Sequence, residues 1–117
     1  MNEEKITVES WKAQLLELFK KGGVSMVEIM RLPRSAGRCD LMLGENDSLL
    51  LWHGMAQELV EALAELLHDK VITVHSTSTL VYFIDGAVLR MPVAKSPKRH
   101  YKRVHWLPVT FNLERSA

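Results

Sequence analysis

Five histidines, a scatter of carboxylates, one cysteine and a tight run of lysines and arginines are the side chains of this 117-residue chain that could do chemistry. His53, His68, His75, His100 and His105 are the metal and acid–base candidates, because imidazole titrates near neutrality and ligates metals. None stands in HExxH or another recognised ligand spacing. His100 and His105 are five apart where a strand is expected, and an odd offset along a strand sends side chains to opposite faces. No metal site is expected. Asp40, Glu45 and Asp47 form a loose carboxylate group, but turn and capping duty explains them more simply. Residues 76–79 carry hydroxyls, for which a polar hairpin turn is the simpler reading. Gly22-Gly23 lacks the spacing of a phosphate-binding loop and serves as a helix stop. Cys39 has Arg38 beside it, which would favour a thiolate; a small buried hydrophobe is the simpler reading. A lone cysteine also has no partner for an internal disulfide or a Cys-based metal site. No residue set assembles a reaction. The expectation is a protein that is not an enzyme, with no catalytic residue, cofactor or small-molecule substrate. An enzyme would need a pocket joining Asp40 or His53 to distant partners.

The basic run is different. Lys95, Lys98, Arg99, Lys102 and Arg103 fall within nine residues, accompanied by His100, His105, Tyr101 and Trp106. Cations attract phosphate regardless of sequence, and aromatics interleaved with them can stack on bases or lie against cationic groups. Lys95, Lys98, Arg99, Tyr101, Lys102 and Arg103 are therefore the expected nucleic-acid-binding residues. Arg31, Arg34 and Arg38 form a second basic stretch that could join the first in space. Net charge is only +1, yet residues 45–85 carry seven acids and one base, and residues 86–117 seven bases and one acid. Such asymmetry suits DNA or RNA as a partner. It equally suits a protein partner or a homodimer, in which an acidic helix meets a basic tail or an edge strand pairs across a two-fold.

The elements that must position these residues follow from periodicity. Residues 8–21 predict a helix, with Val8, Trp11, Leu15 and Leu18 on one stripe, Thr7 as its cap and Gly22-Gly23 as its stop. Ser25 to Glu28 has capping-box spacing and opens a short helix that Pro33 ends. Residues 39–52 read as a β-hairpin or, alternatively, as a helix capped by Asp47 and starting at Ser48. Residues 55–68 predict a helix that buries Met55, Leu59, Leu63, Leu66 and Leu67 and exposes Glu58, Glu61 and Glu65. The period then changes to two. Strands are expected at 71–74, 80–84 and 87–91, the last two joined by a hairpin turn at Asp85-Gly86. A final strand, 104–113, is interrupted by Pro108, which points to a sheet edge or a bulge.

From 55 to 92 the order of helix, strand, turn, strand, Asp-Gly hairpin and strand resembles the second half of a winged-helix domain. Residues 63–72 resemble the helix running into the wing, and residues 79–83 a returning wing strand. The resemblance implies that the 55–68 helix reads a nucleic-acid groove. Its glutamates would be repelled there, which turns attention to residues 95–103 or to a protein-interaction role.

Length and composition bound the rest. The chain has the size of one domain, 1–117, with 47% hydrophobic and 25% charged residues, as in an ordinary globular protein. No stretch approaches the roughly 18 apolar residues that span a bilayer, and residues 1–5 are unlike a secretory signal, so a cytoplasmic protein is expected. The expected fold is α+β: about three helices on an antiparallel sheet of four to six strands, with a winged-helix-like second half. Trp11, Leu15, Met55, Leu59, Leu63, Leu66, Val81, Phe83 and Leu89 are its expected core.

Overall fold

The computed structural model describes residues 6–44 and 46–114. Helix α1 (Val8–Phe19) starts where the Thr7 side chain accepts a hydrogen bond from the Ser10 amide, and it buries Trp11, Leu15 and Phe19 at four-residue intervals. The chain then turns through Gly22, whose φ of 74° favours glycine. Strand β1 (Val24–Ser25) runs straight into α2 (Met26–Met30). Ser25 caps α2 by accepting from the Glu28 amide. Glu28 does not return the bond as a capping box would; its carboxylate pairs with Lys21.

The hairpin reading of residues 39–52 holds. Strands β2 (Ala36–Leu43) and β3 (Asn46–Met55) pair antiparallel with several register shifts, while Glu45 lies outside the described residues. At the open end of the hairpin the backbones approach so closely that a Cβ on Gly37 would sit 2.5 Å from the Met55 carbonyl oxygen. Helix α3 (Gln57–His68) follows and buries Leu59, Ala62, Leu63 and Leu66. Strand β4 (Ile72–Ser76) leaves it after a turn in which Lys70 takes a positive φ.

Beyond β4 the expected strands are absent. Residues 79–85 form helix α4 (Thr79–Asp85), capped by the Ser78 side chain, and Gly86 ends it with a φ of 105°. Asp85-Gly86 is therefore a helix terminus and not a hairpin turn, and residues 87–91 form no strand. The β-branched and aromatic content of 79–85 favours strands in general, but a serine cap and a glycine stop eight residues apart prevail. The last expected strand is split at Pro108 into β5 (His105–Trp106) and β6 (Val109–Leu113), which belong to different sheets. The first piece, β5, lies at a sheet edge as expected and the second, β6, in the centre of the other sheet; the proline itself marks the crossing between sheets.

The fold is α+β; the described residues form four helices and two three-stranded sheets in place of three helices on one sheet. In the first sheet β6 lies between β1 and β4 and is antiparallel to both. In the second β3 lies between β2, antiparallel, and β5, parallel. One core joins both sheets, with Trp11, Leu15, Met55, Leu59, Leu63 and Leu66 in it as expected. Val81 and Leu89 are half-buried against that core. Phe83 is 72% exposed, because the helix turns it away from the side that Tyr82 buries.

Candidate nucleic-acid interface

Everything between β4 and β6 is one excursion, closed at its base where the Thr77 amide donates to the Pro108 carbonyl at 2.9 Å. Its second half is the basic loop. A parallel bridge between Val93 and Trp106 closes that loop, with the Ala94 amide donating to the Trp106 carbonyl and the Trp106 amide to Pro92. Within it, Ser96 makes a local turn by accepting from the Lys98 amide at 3.1 Å.

The tip of the β2–β3 hairpin holds the loop in place. The Tyr101 amide donates to Ser48 Oγ at 3.0 Å, and Asn46 Nδ2 donates to the Arg99 carbonyl at 3.1 Å. Ser48, only 3% exposed, donates its own hydroxyl hydrogen bond to Asn46 Oδ1 at 2.6 Å, so hydroxyl and amide form one chain of bonds. His100 Nε2 lies 3.2 Å from Asp47 Oδ1. The Tyr101 ring stacks on His105 with centroids 3.9 Å apart and planes 15° apart. Its hydroxyl accepts from the Lys95 amide at 2.9 Å, and His105 Nδ1 donates to the Arg103 carbonyl at 2.8 Å. Tyr101 thus braces the loop, with one ring face already covered.

Lys95, Lys98, Arg99, Lys102 and Arg103 are all exposed. Among the described residues none of the five forms an ion pair. The Arg99 guanidinium lies 5.9 Å from the Tyr101 ring centroid, within reach of a cation–π contact. Trp106 is not available for stacking; it is 1% exposed and edge-on to Tyr82 at 5.0 Å in the core.

The second basic stretch does not join the first. Arg31, Arg34 and Arg38 sit by the open end of the hairpin, where Ala36 pairs with Met55, whereas the loop is held at Asn46. Nine strand residues separate those points, roughly 30 Å at the usual rise. Arg31 Nη2 donates to the Asp85 carbonyl at 2.6 Å, at the C-terminus of α4. On α3, Glu65 takes Lys12 Nζ at 2.8 Å and Glu61 accepts from Gln57 Nε2 at 3.0 Å. The bond to Glu65 raises the Lys12 pKa above its ordinary value. Asp40 and His53 do share a depression, with Leu50, Leu89, Arg90 and Met91, of about 420 Å³ and broadly open to solvent. Among the described residues no three His, Cys, Asp or Glu side chains cluster to hold a metal, and no helix is long and apolar enough to cross a membrane.

Sequence reasoning found the cations and missed their anchors. Asn46 and Ser48 lie 53 residues from their partners, and no local pattern reports a contact of that range.

No protein-family model matches the chain, and comparison with curated proteins and with solved structures returns no match.

Proposed function

We propose that this chain binds nucleic acid through the basic loop 95–103, making non-specific contacts to the phosphate backbone. The observation that carries the reading is the combination just described: five exposed cations that form no ion pair among the described residues, on a loop whose backbone is fixed by Ser48, Asn46 and Tyr101. A loop whose backbone is already fixed has only its side chains left to order on meeting phosphate, which favours binding over mere solvation.

The frame supports a winged-helix-like reading on residues other than those first expected. Helix, two-residue strand, helix, helix and strand lead to a returning strand, β6, that inserts between β1 and β4. On that reading the β2–β3 hairpin is an insertion between α2 and α3, and the excursion from Thr77 to Pro108 takes the place of the wing. The cations lie on that excursion. Helix α3, with Glu58 and Glu61 on its outer side, is the less suitable surface for phosphate.

Lys98→Glu with Arg99→Glu tests the reading. Both side chains are exposed, so the melting temperature stays within a degree or two of the parent. Affinity for generic DNA and RNA oligomers, read by fluorescence anisotropy at about 50 mM salt, falls roughly 100-fold or more. Unchanged affinity would remove the basic loop as the site.

A further inference from the structure

Helix α4 presents its apolar side outward. Leu80, Phe83 and Ile84 are 63%, 72% and 76% exposed, and their i, i+3, i+4 spacing makes them neighbours on one face. Tyr82, on the opposite side, is fully buried and anchors the helix: its hydroxyl donates to the Val109 carbonyl at 2.6 Å and accepts from the Met26 amide at 3.0 Å. Fraying does not explain the exposure. The three side chains put on the order of 400 Å² of contiguous apolar surface in water, the size of the largest patch on a typical monomer, which is often functional.

The same chain carries a surface that matches it. Between the open edges of β2 and β4, Leu41, Met42, Leu43, Ala64, Leu67 and Val74 line a groove of about 520 Å³, floored by α3. The volume suits two or three large apolar side chains, and the lining offers them little polar competition. A molecule cannot fill its own groove. The groove opens along β4, whereas α4 is tied to the β1 side of that sheet, Ser25 Oγ donating to Asp85 at 2.6 Å and Arg31 reaching the Asp85 carbonyl. Exposed Arg31 stands beside the knob, where Ser25 already holds the Asp85 carboxylate. Exposed Glu61, one turn before Ala64, stands by the groove, while Asp69 next to the rim is paired with His68 and followed by Lys70.

We infer that α4 of one copy docks in the α3 groove of a second copy, a head-to-tail contact between identical chains. Counting both sides, it buries about 800 Å², which lies in the weak, transient class and below a standard interface of roughly 1,200–2,000 Å². The contact therefore assembles with concentration, and because each copy keeps a free knob and a free groove, it propagates beyond the dimer unless the rotation closes a ring. The inference does not rest on nucleic-acid binding, since none of its residues lies in 95–103.

Sedimentation of the full chain from about 10 µM to 1 mM, without nucleic acid, tests it. Phe83→Asp removes the knob and Ala64→Arg blocks the groove. Both positions are exposed, and unchanged circular-dichroism melts verify that each variant folds. The parent should show a mass that rises with concentration past the dimer, and each variant alone should remain monomeric. An equimolar mixture should stop at a one-to-one complex, because one partner supplies the only knob and the other the only groove. A parent that stays monomeric throughout, a variant that associates like the parent, or a mixture that fails to associate would each overturn the contact.

Discussion

Helix α4 and the basic loop lie on the same excursion between β4 and β6, and a tyrosine holds each of them, yet the two differ in almost everything else. Tyr82 is buried, bonded at both ends of its hydroxyl's capacity, and stacked against Trp52 at 5.7 Å. Tyr101 is half-buried, bonded once through its hydroxyl and stacked on a single histidine. The first tyrosine ties an apolar surface to the core of the domain. The second braces a cationic loop from within, its hydroxyl on the Lys95 amide and its ring on His105, while its backbone amide meets the hairpin at Ser48. Exposure and order are separate properties in this molecule: each surface faces water because something behind it is fixed, and the depth of the fixing sets what its loss costs.

Removing the deeper anchor should have the largest effect. Tyr82→Ala leaves a cavity beside Trp106 and two unpaired backbone groups, Met26 N–H and Val109 C=O, and should cost about 3–5 kcal/mol in chemical denaturation. Tyr82→Phe keeps the ring and removes only the hydroxyl, for about 1–3 kcal/mol. A Tyr82→Phe protein as stable as the parent would show that the two hydrogen bonds contribute nothing net.

The same tyrosine gives an alkaline signature. Burial pushes the Tyr82 phenol up from 10 to about 12. A raised phenol pKa means that the folded state keeps its proton after the unfolded state has begun to lose it. The contribution is complete below pH 10, declines as pH rises from there, and is gone above about 12. Denaturation midpoints measured from pH 8 to 11 should fall over the upper part of that range in the parent, and less in Tyr82→Phe. Equal declines in the two would assign the alkaline loss to other groups.

The shallower anchor should give a smaller and differently placed effect. Tyr101→Phe removes the bond to the Lys95 amide and leaves the His105 stack, at a cost of about 0.5–1.5 kcal/mol. Oligonucleotide affinity should fall a few-fold as the cations become less ordered, and the circular-dichroism spectrum should not change. A drop in affinity as large as that of Lys98→Glu with Arg99→Glu would mean that Tyr101 itself meets the nucleic acid.

The contrast also explains what could be read from sequence. α1 and α2 were legible because Thr7, Gly22 and Ser25 punctuate them, and α3, which has no side-chain cap, because its apolar residues repeat at helical spacing on the buried side. In α4 the rule is inverted: Leu80, Phe83 and Ile84 repeat at helical spacing on the exposed side, while Val81, Tyr82 and Phe83 together read as β-rich. The usable signal was the pair Ser78 and Gly86, a cap and a stop at the right separation, and the Asp-Gly dipeptide concealed it by matching a favoured hairpin turn. Charge alone located the basic loop, since like-charged side chains in one short run must face solvent. Charge could not show that the Tyr101 amide is held by Ser48 of the hairpin or that Trp106 belongs to the core, because both depend on where β3 lies, and that is decided by pairing across about fifty residues of chain.

The most direct test of the central claim is the salt dependence of oligonucleotide binding by the unmodified protein. If five cations meet phosphate, the logarithm of the binding constant should fall against the logarithm of salt with a slope near −4, roughly 100- to 1,000-fold between 50 and 200 mM. No binding to either DNA or RNA at 50 mM, or binding that salt leaves unchanged, would contradict the account and leave the basic loop without the role proposed for it.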